Sequence, residues 1–270
     1  MTTPLAYDVA GEGPPVVLLH SSVANRQMWR AQWADLTARF RVISCDLAGF
    51  GESPLPSPGW CDAEDVLAVM DRLGLDTAAV VGASYGGRVA LELATIATQR
   101  VSRLVLLCPA YSGVPSTSDA DAFDQEEVAL LEAGDVDAAV ALNVRTWLGP
   151  ETTVETRQQV AQWQRETFAL QADAPDELAP TRVTVDPSAI DVPTLVVSGG
   201  HDLPYFRLVA AHLAAALLQA RYLDLPWAGH LPSLERPEVV SELLLAELGS
   251  DEEPALDLPH QPDEPAGPAS

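Results

Sequence analysis

The chain has 270 residues, 47% of them hydrophobic, which suits one α/β domain of about 200–250 residues with an insertion and a sizeable buried core. Its 39 acidic residues against 15 basic ones give a formal charge of -24. That charge favours solubility, repels phosphate backbones and anionic bilayers, and excludes nucleic acid and membrane surfaces as expected partners. All 15 basic residues are Arg, so Schiff-base lysine chemistry and a lysine-anchored phosphate loop are excluded as well.

In chain order, Leu5 to Val9 reads as a possible antiparallel edge strand. Val16 to Leu19, Val42 to Cys45, Ala78 to Val81, Leu104 to Cys108 and Thr194 to Ser198 are short apolar runs of the kind that form buried parallel strands, and Arg221 to Leu225 is a weaker sixth. Amphipathic stretches lie between them at Trp29 to Ala38, Ala63 to Leu73, Gly86 to Ala97 and Phe206 to Leu218. This alternation predicts a mostly parallel sheet covered on both faces. It breaks between Tyr111 and Asp191, where helical patterns run over Ala120 to Ala133, Val136 to Trp147 and Val154 to Gln171. The predicted organisation is therefore a core of residues 1–110 and 192–248 with a helical insertion at 111–191. Trp147, Trp163 and Phe168 in that insertion suit either its own core or the wall of a substrate pocket beneath a lid.

Residues 249–270 hold six acidic residues and five prolines, too polar to form a packed core, and are expected to be disordered. The 3 cysteines, Cys45, Cys61 and Cys108, show no metal-ligand spacing, and Cys45 and Cys108 fall in strand-like runs that predict buried free thiols. No metal site is expected. Met1 to Gly13 has no basic patch followed by an apolar stretch, and the apolar runs are shorter than a membrane span, so the cytoplasm is the expected compartment.

The strongest local signal is Val80-Val81-Gly82-Ala83-Ser84-Tyr85-Gly86-Gly87, a Gly-x-Ser-x-Gly between a predicted strand and a predicted helix. The turn needs small neighbours, which Gly82 and Gly86 supply, and Gly87 lets helix and strand approach. Ser84 is then projected from the carboxyl edge of the sheet as a candidate nucleophile, with a helix N-terminus beneath the forming oxyanion. A serine hydroxyl needs a base. Of the 5 histidines, His260 lies in the tail, His212 on a helix surface, His20 ends the first buried strand, His201 precedes Asp202, and His230 lies in the loop Gly229-His230-Leu231-Pro232 after the last predicted strand. Val196-Val197-Ser198-Gly199-Gly200-His201-Asp202 is a strand ending in a tight turn and an acid. Asp224 is the rival acid, but falls inside a strand run.

With these motifs in the order Ser84, Asp202, His230, the chain resembles the α/β-hydrolase superfamily over roughly residues 5–248. The run Asp46-Leu47-Ala48-Gly49-Phe50-Gly51-Glu52-Ser53 is similar to a turn of that superfamily whose role is mainly structural. The resemblance implies that His230 is the base, that Asp202 orients it, and that the oxyanion is held by two backbone N–H groups, of Tyr85 and of Ser22. His20-Ser21-Ser22 departs from the usual His-Gly, so Ser21 either adopts the glycine geometry or offers its hydroxyl to the substrate. The stretch Val23 to Arg30 looks like the branch of 3-oxoadipate enol-lactonases and small esterases with a helical cap. The implied activity is hydrolysis of an ester or lactone of a small, hydrophobic molecule without cofactor. A non-hydrolytic enzyme on the same scaffold (lyase, perhydrolase or cofactor-free biosynthetic enzyme) and a small-molecule receptor stay open. The residues leave oligomeric state and substrate identity undetermined.

Overall fold

A computed structural model describes residues 2–172, 174 and 179–249. In chain order the elements are β1 (Tyr7–Ala10), β2 (Pro15–Leu19), α1 (Arg30–Thr37), β3 (Arg41–Cys45), α2 (Asp62–Arg72), β4 (Ala78–Ala83), α3 (Tyr85–Ile96), β5 (Val101–Leu107), α4 (Ser118–Glu132), α5 (Val136–Trp147), α6 (Val154–Gln171), β6 (Thr194–Gly199), α7 (Pro204–Ala216), β7 (Ala220–Leu225), α8 (Pro232–Glu235) and α9 (Pro237–Leu248). The tail expected to be disordered lies, apart from Gly249, outside the described residues. No helix among the described residues is long and apolar enough to cross a membrane.

The strands form one sheet in the order β1-β3-β2-β4-β5-β6-β7. All neighbours are parallel except β1, which pairs antiparallel with β3 as the edge strand expected near Leu5 to Val9. Strands β2 and β4 are apolar throughout because both faces are covered. Successive residues point to opposite sides: Val17, Leu19, Val80 and Leu106 join one core with α2, α3 and α7, and Val16, Leu18, Val81 and Leu107 join the other with α1 and α9. β5 begins at Val101 rather than Leu104, because Ser102 is exposed and Arg103 half-buried and the outer part of the strand carries no apolar run. It ends at Leu107, so Cys108, placed in the strand from its sequence, stands beyond it with φ +45.

Residues 111–191 contain no strand among those described. Here α5 packs against both α4 and α6, and Trp147, Leu148, Val160 and Trp163 extend the α1/α9 core upward.

The turn after β3 is structural. Buried Asp46 accepts the N–H groups of Arg26 at 2.7 Å and Glu52 at 2.9 Å and pairs with the Arg26 guanidinium. The Ser53 hydroxyl donates to the Asp46 carbonyl and accepts the Ala6 N–H, fastening β1 to the same turn. Removing the carboxylate leaves several donors unpaired in a buried site. Asp46→Ala is therefore expected to lower the unfolding free energy by about 3 kcal/mol, read from the urea midpoint at unchanged m-value.

Candidate active site

Ser84 occupies the junction of β4 and α3 with φ +50 and ψ -112, a region that a residue with a Cβ rarely adopts. Its N–H donates to the Leu107 carbonyl at 2.9 Å, and its own carbonyl accepts the N–H groups of Arg88 at 3.1 Å and Ala110 at 3.0 Å. The glycines give the clearance: a Cβ on Gly82 would stand 2.3 Å from the Gly86 carbonyl oxygen, and one on Gly86 would stand 2.3 Å from that of Leu19.

The structure brings Ser84, His230 and Asp202 together. His230 Nε2 is 2.7 Å from Ser84 Oγ, and His230 Nδ1 is 2.7 Å from Asp202 Oδ2. An ionised carboxylate only accepts, so Nδ1 carries the ring proton and Nε2 is left to accept from the serine hydroxyl. All three residues are buried. Asp202 Oδ1 is occupied by the Leu203 N–H at 2.7 Å. The rival Asp224, on β7, instead accepts the Ser198 hydroxyl at 2.6 Å. His201 and His212 are exposed, and His20 is a buried brace whose Nε2 accepts the Leu47 N–H at 2.9 Å.

Glu235, on α8, was not singled out from the sequence. Its Oε2 accepts the N–H groups of Gly149 at 3.1 Å and Gly229 at 2.9 Å, and its Oε1 accepts that of Leu231 at 3.2 Å. One carboxylate thus gathers both neighbours of His230 and the end of α5. The His230 N–H donates to the Trp147 carbonyl at 2.9 Å, closing the same junction. Burial pushes the Glu235 pKa up, opposed by the N–H groups of Gly229, Leu231 and Gly149 and by His230. The position of Glu235 shortly after His230 in a tight loop was the signal available.

Ser22 and Tyr85 both line the cavity at Ser84, and no backbone acceptor among the described residues takes either N–H. Tyr85 is anchored on its other side: its hydroxyl donates to Asp62 at 2.6 Å, and the Arg88 guanidinium lies 4.0 Å from its ring centroid. Ser21 is buried at the same cavity, and its hydroxyl oxygen has no partner.

The cavity has a volume of about 530 Å³. Trp147 lines it and forms with Phe123 and Phe206 an aromatic wall against the His230 ring, with centroids 4.7 Å (Trp147) and 4.2 Å (Phe206) away. Trp163 does not line it. Its side chain turns into the core beside Val160 and Leu148, and the cavity face of α6 is instead Gln164, Thr167, Phe168 and Gln171, spaced as one helical stripe. Cys108 Sγ, Asp202 and His230 have donor atoms within 4.8 Å of one another, the arrangement among the described residues that can hold a metal ion. A metal there would compete with the Nδ1–Asp202 hydrogen bond, and burial holds the Cys108 thiol well above its usual pKa.

The fold agrees with the comparisons to known proteins. The family model described as alpha/beta hydrolase fold matches residues 14–157, and the chain belongs to that family. It is 29% identical to the carboxylesterase YbfK of Bacillus subtilis (strain 168) over 248 residues, covering 87% of this chain and 80% of that protein. Among solved structures, a thermophilic esterase from Thermogutta terrifontis superposes with a TM-score of 0.73 at 28% identity, covering 91% of this chain and 93% of the other. The enol-lactonase from Burkholderia xenovorans LB400 superposes with a TM-score of 0.74 at 26% identity, covering 91% and 96%.

Replacing Glu235 by Ala would leave three N–H groups without their acceptor in a part-buried junction. The expected loss of stability is about 2 kcal/mol, and in hydrogen-exchange mass spectrometry peptides containing Gly229 and Leu231 should exchange faster while those from β4 do not.

Proposed function

We propose that the protein is a serine hydrolase that cleaves a carboxylic ester or lactone of a small molecule through an acyl-enzyme on Ser84. The observation that carries this reading is the pair of 2.7 Å contacts linking Ser84 Oγ to His230 and His230 to Asp202. The likeness to proteins named as esterases and an enol-lactonase supports it.

In the proposed reaction, Ser84 Oγ attacks the substrate carbonyl carbon while its proton passes to His230 Nε2. The carbonyl electron pair moves onto oxygen, and the Ser22 and Tyr85 N–H groups stabilise the resulting oxyanion. Asp202 holds the ring tautomer and stabilises the imidazolium. Collapse of the intermediate expels the alkoxide, which takes the proton from Nε2; in a lactone it stays tethered to the acyl group. Water then attacks the acyl carbon while losing a proton to Nε2, and the second intermediate collapses as the Oγ–acyl bond breaks and Ser84 Oγ takes that proton back, releasing the acid. No step uses a cofactor.

In this reading residues 111–191 act as a cap. Its aromatic residues Phe123 and Trp147, with Phe206 from α7, receive the apolar part of the substrate, and the unpartnered Ser21 hydroxyl meets the substrate beside the Ser22 N–H. The three buried free cysteines fit a reducing compartment.

Ser84→Ala is expected to lower kcat on 4-nitrophenyl butyrate by at least about 10³-fold, to abolish labelling by a fluorophosphonate probe, and to leave the thermal unfolding curve in place. Undiminished ester turnover by a homogeneous preparation of that variant would overturn the mechanism.

A further inference from the structure

The wall that α6 turns to the cavity is polar apart from Phe168, and it contains a side chain the mechanism above does not use. Gln164 is 4% exposed, in the middle of an 18-residue helix, and it lines the cavity that holds Ser84. Its Oε1 is buried without a hydrogen-bond partner. Leaving a buried amide oxygen unpaired costs about 1–3 kcal/mol, more than an apolar residue of similar size would cost at that position. One turn further along the same stripe, Thr167 is 5% exposed and its hydroxyl is bonded to no described residue.

The neighbouring amides of Asn143 and Gln171 are already engaged elsewhere. Asn143 Oδ1 accepts the Trp147 indole N–H at 2.8 Å, and its amide nitrogen donates to Glu127 at 2.5 Å and to the Ala139 carbonyl at 3.0 Å. Gln171 donates to the Gly49 carbonyl at 3.1 Å. Gln164 and Thr167 are thus left as a pair of uncommitted polar groups on a wall whose counterpart, Phe123, Trp147 and Phe206, is aromatic. A purely hydrocarbon substrate would fill this cavity and leave the Gln164 oxygen unpaired.

We infer that the substrate carries a hydroxyl group apart from its scissile carbonyl, and that Gln164 is the specificity-determining residue that accepts its hydrogen bond, with Thr167 beside it. A hydroxyl suits an amide in either orientation, because it can donate to Oε1 or accept from Nε2. The inference rests on the proposed ester or lactone hydrolysis at Ser84 and adds the chemical class of the molecule that is cleaved. Sites that hydrogen-bond a substrate hydroxyl discriminate strongly against the analogue lacking it, whereas apolar pockets barely distinguish the two.

The test uses matched ester pairs on the full chain: 4-nitrophenyl hexanoate against 4-nitrophenyl 6-hydroxyhexanoate for the acyl side, and butyl butanoate against 4-hydroxybutyl butanoate for the alcohol side. The quantity read is the ratio of kcat/KM within a pair, which cancels any general change in activity. The wild type is expected to favour the hydroxylated member of one pair by about tenfold. Gln164→Met, of similar volume, should bring that ratio to about one, and Gln164→Glu, which keeps an acceptor, should retain a preference. A ratio of about one for both pairs in the wild type, or a preference unchanged by Gln164→Met, would overturn the inference while leaving ester hydrolysis intact. Absence of Ser84-dependent turnover on all four esters would overturn the hydrolase reading and this inference with it.

Discussion

A serine fixed at φ +50 between a buried strand and a helix is the constraint on which the rest of the site depends. For a residue with a side chain this conformation is disfavoured by roughly 1–3 kcal/mol, and it persists only where the surroundings leave no alternative. Here the hydrogen bond from the Ser84 N–H to Leu107 ties the turn to β5, and the bonds its carbonyl receives from Arg88 and Ala110 tie it to α3 and to the chain leaving β5. The missing Cβ atoms of Gly82 and Gly86 let strand, helix and β2 close to contact distance. The strain therefore serves a geometric end: Ser84 and the following residue, Tyr85, both line one cavity.

His230 has no comparable regular element behind it, since it sits in a loop between β7 and α8. Its position is set by what surrounds it. Glu235 draws in the backbone on both sides, Trp147 receives its N–H, and the rings of Trp147 and Phe206 limit how it can tilt. Two of these contacts come from Trp147 at the end of α5, so α5 and the histidine loop meet in one junction. A displacement of α5 cannot leave the ring unaffected. This ties the geometry at Ser84 to the packing of a segment that is remote from it in sequence.

The parts of this arrangement readable from sequence are those imposed by sterics and periodicity. Gly82, Ser84 and Gly86 fall in a spacing that few backbones other than a tight strand-to-helix turn require, and the apolar runs of β2, β4 and β6 mark strands buried on both faces. The roles of Ser84, Asp202 and His230 were implied by the resemblance to α/β hydrolases, read on residues at strand ends, and the three side chains do meet. What escaped was set by tertiary contacts. Cys108 looked like one more strand residue, because an apolar run does not reveal where φ turns positive. Glu235 carried no sequence signal of its role beyond its place shortly after His230, because nothing local shows that three N–H groups converge on it.

The helix α6 shows the same limit most clearly. Its aromatic residues drew attention to Trp163 as a pocket residue, on the premise that a cavity wall is apolar. The rotation of α6 is decided by α5 and by the core beneath, and these take Val160 and Trp163 as their share. The stripe left for the cavity is then displaced by about 100° around the axis from Trp163 to Gln164, since each residue advances by that angle. A helix with weak overall amphipathicity places no sequence constraint on which face is which, so a one-residue rotation exchanges an indole for an amide. Packing thus gives the cavity an aromatic side next to His230 and, on α6, a side of Gln164, Thr167 and Gln171 around Phe168, an asymmetry that apolar content alone does not convey.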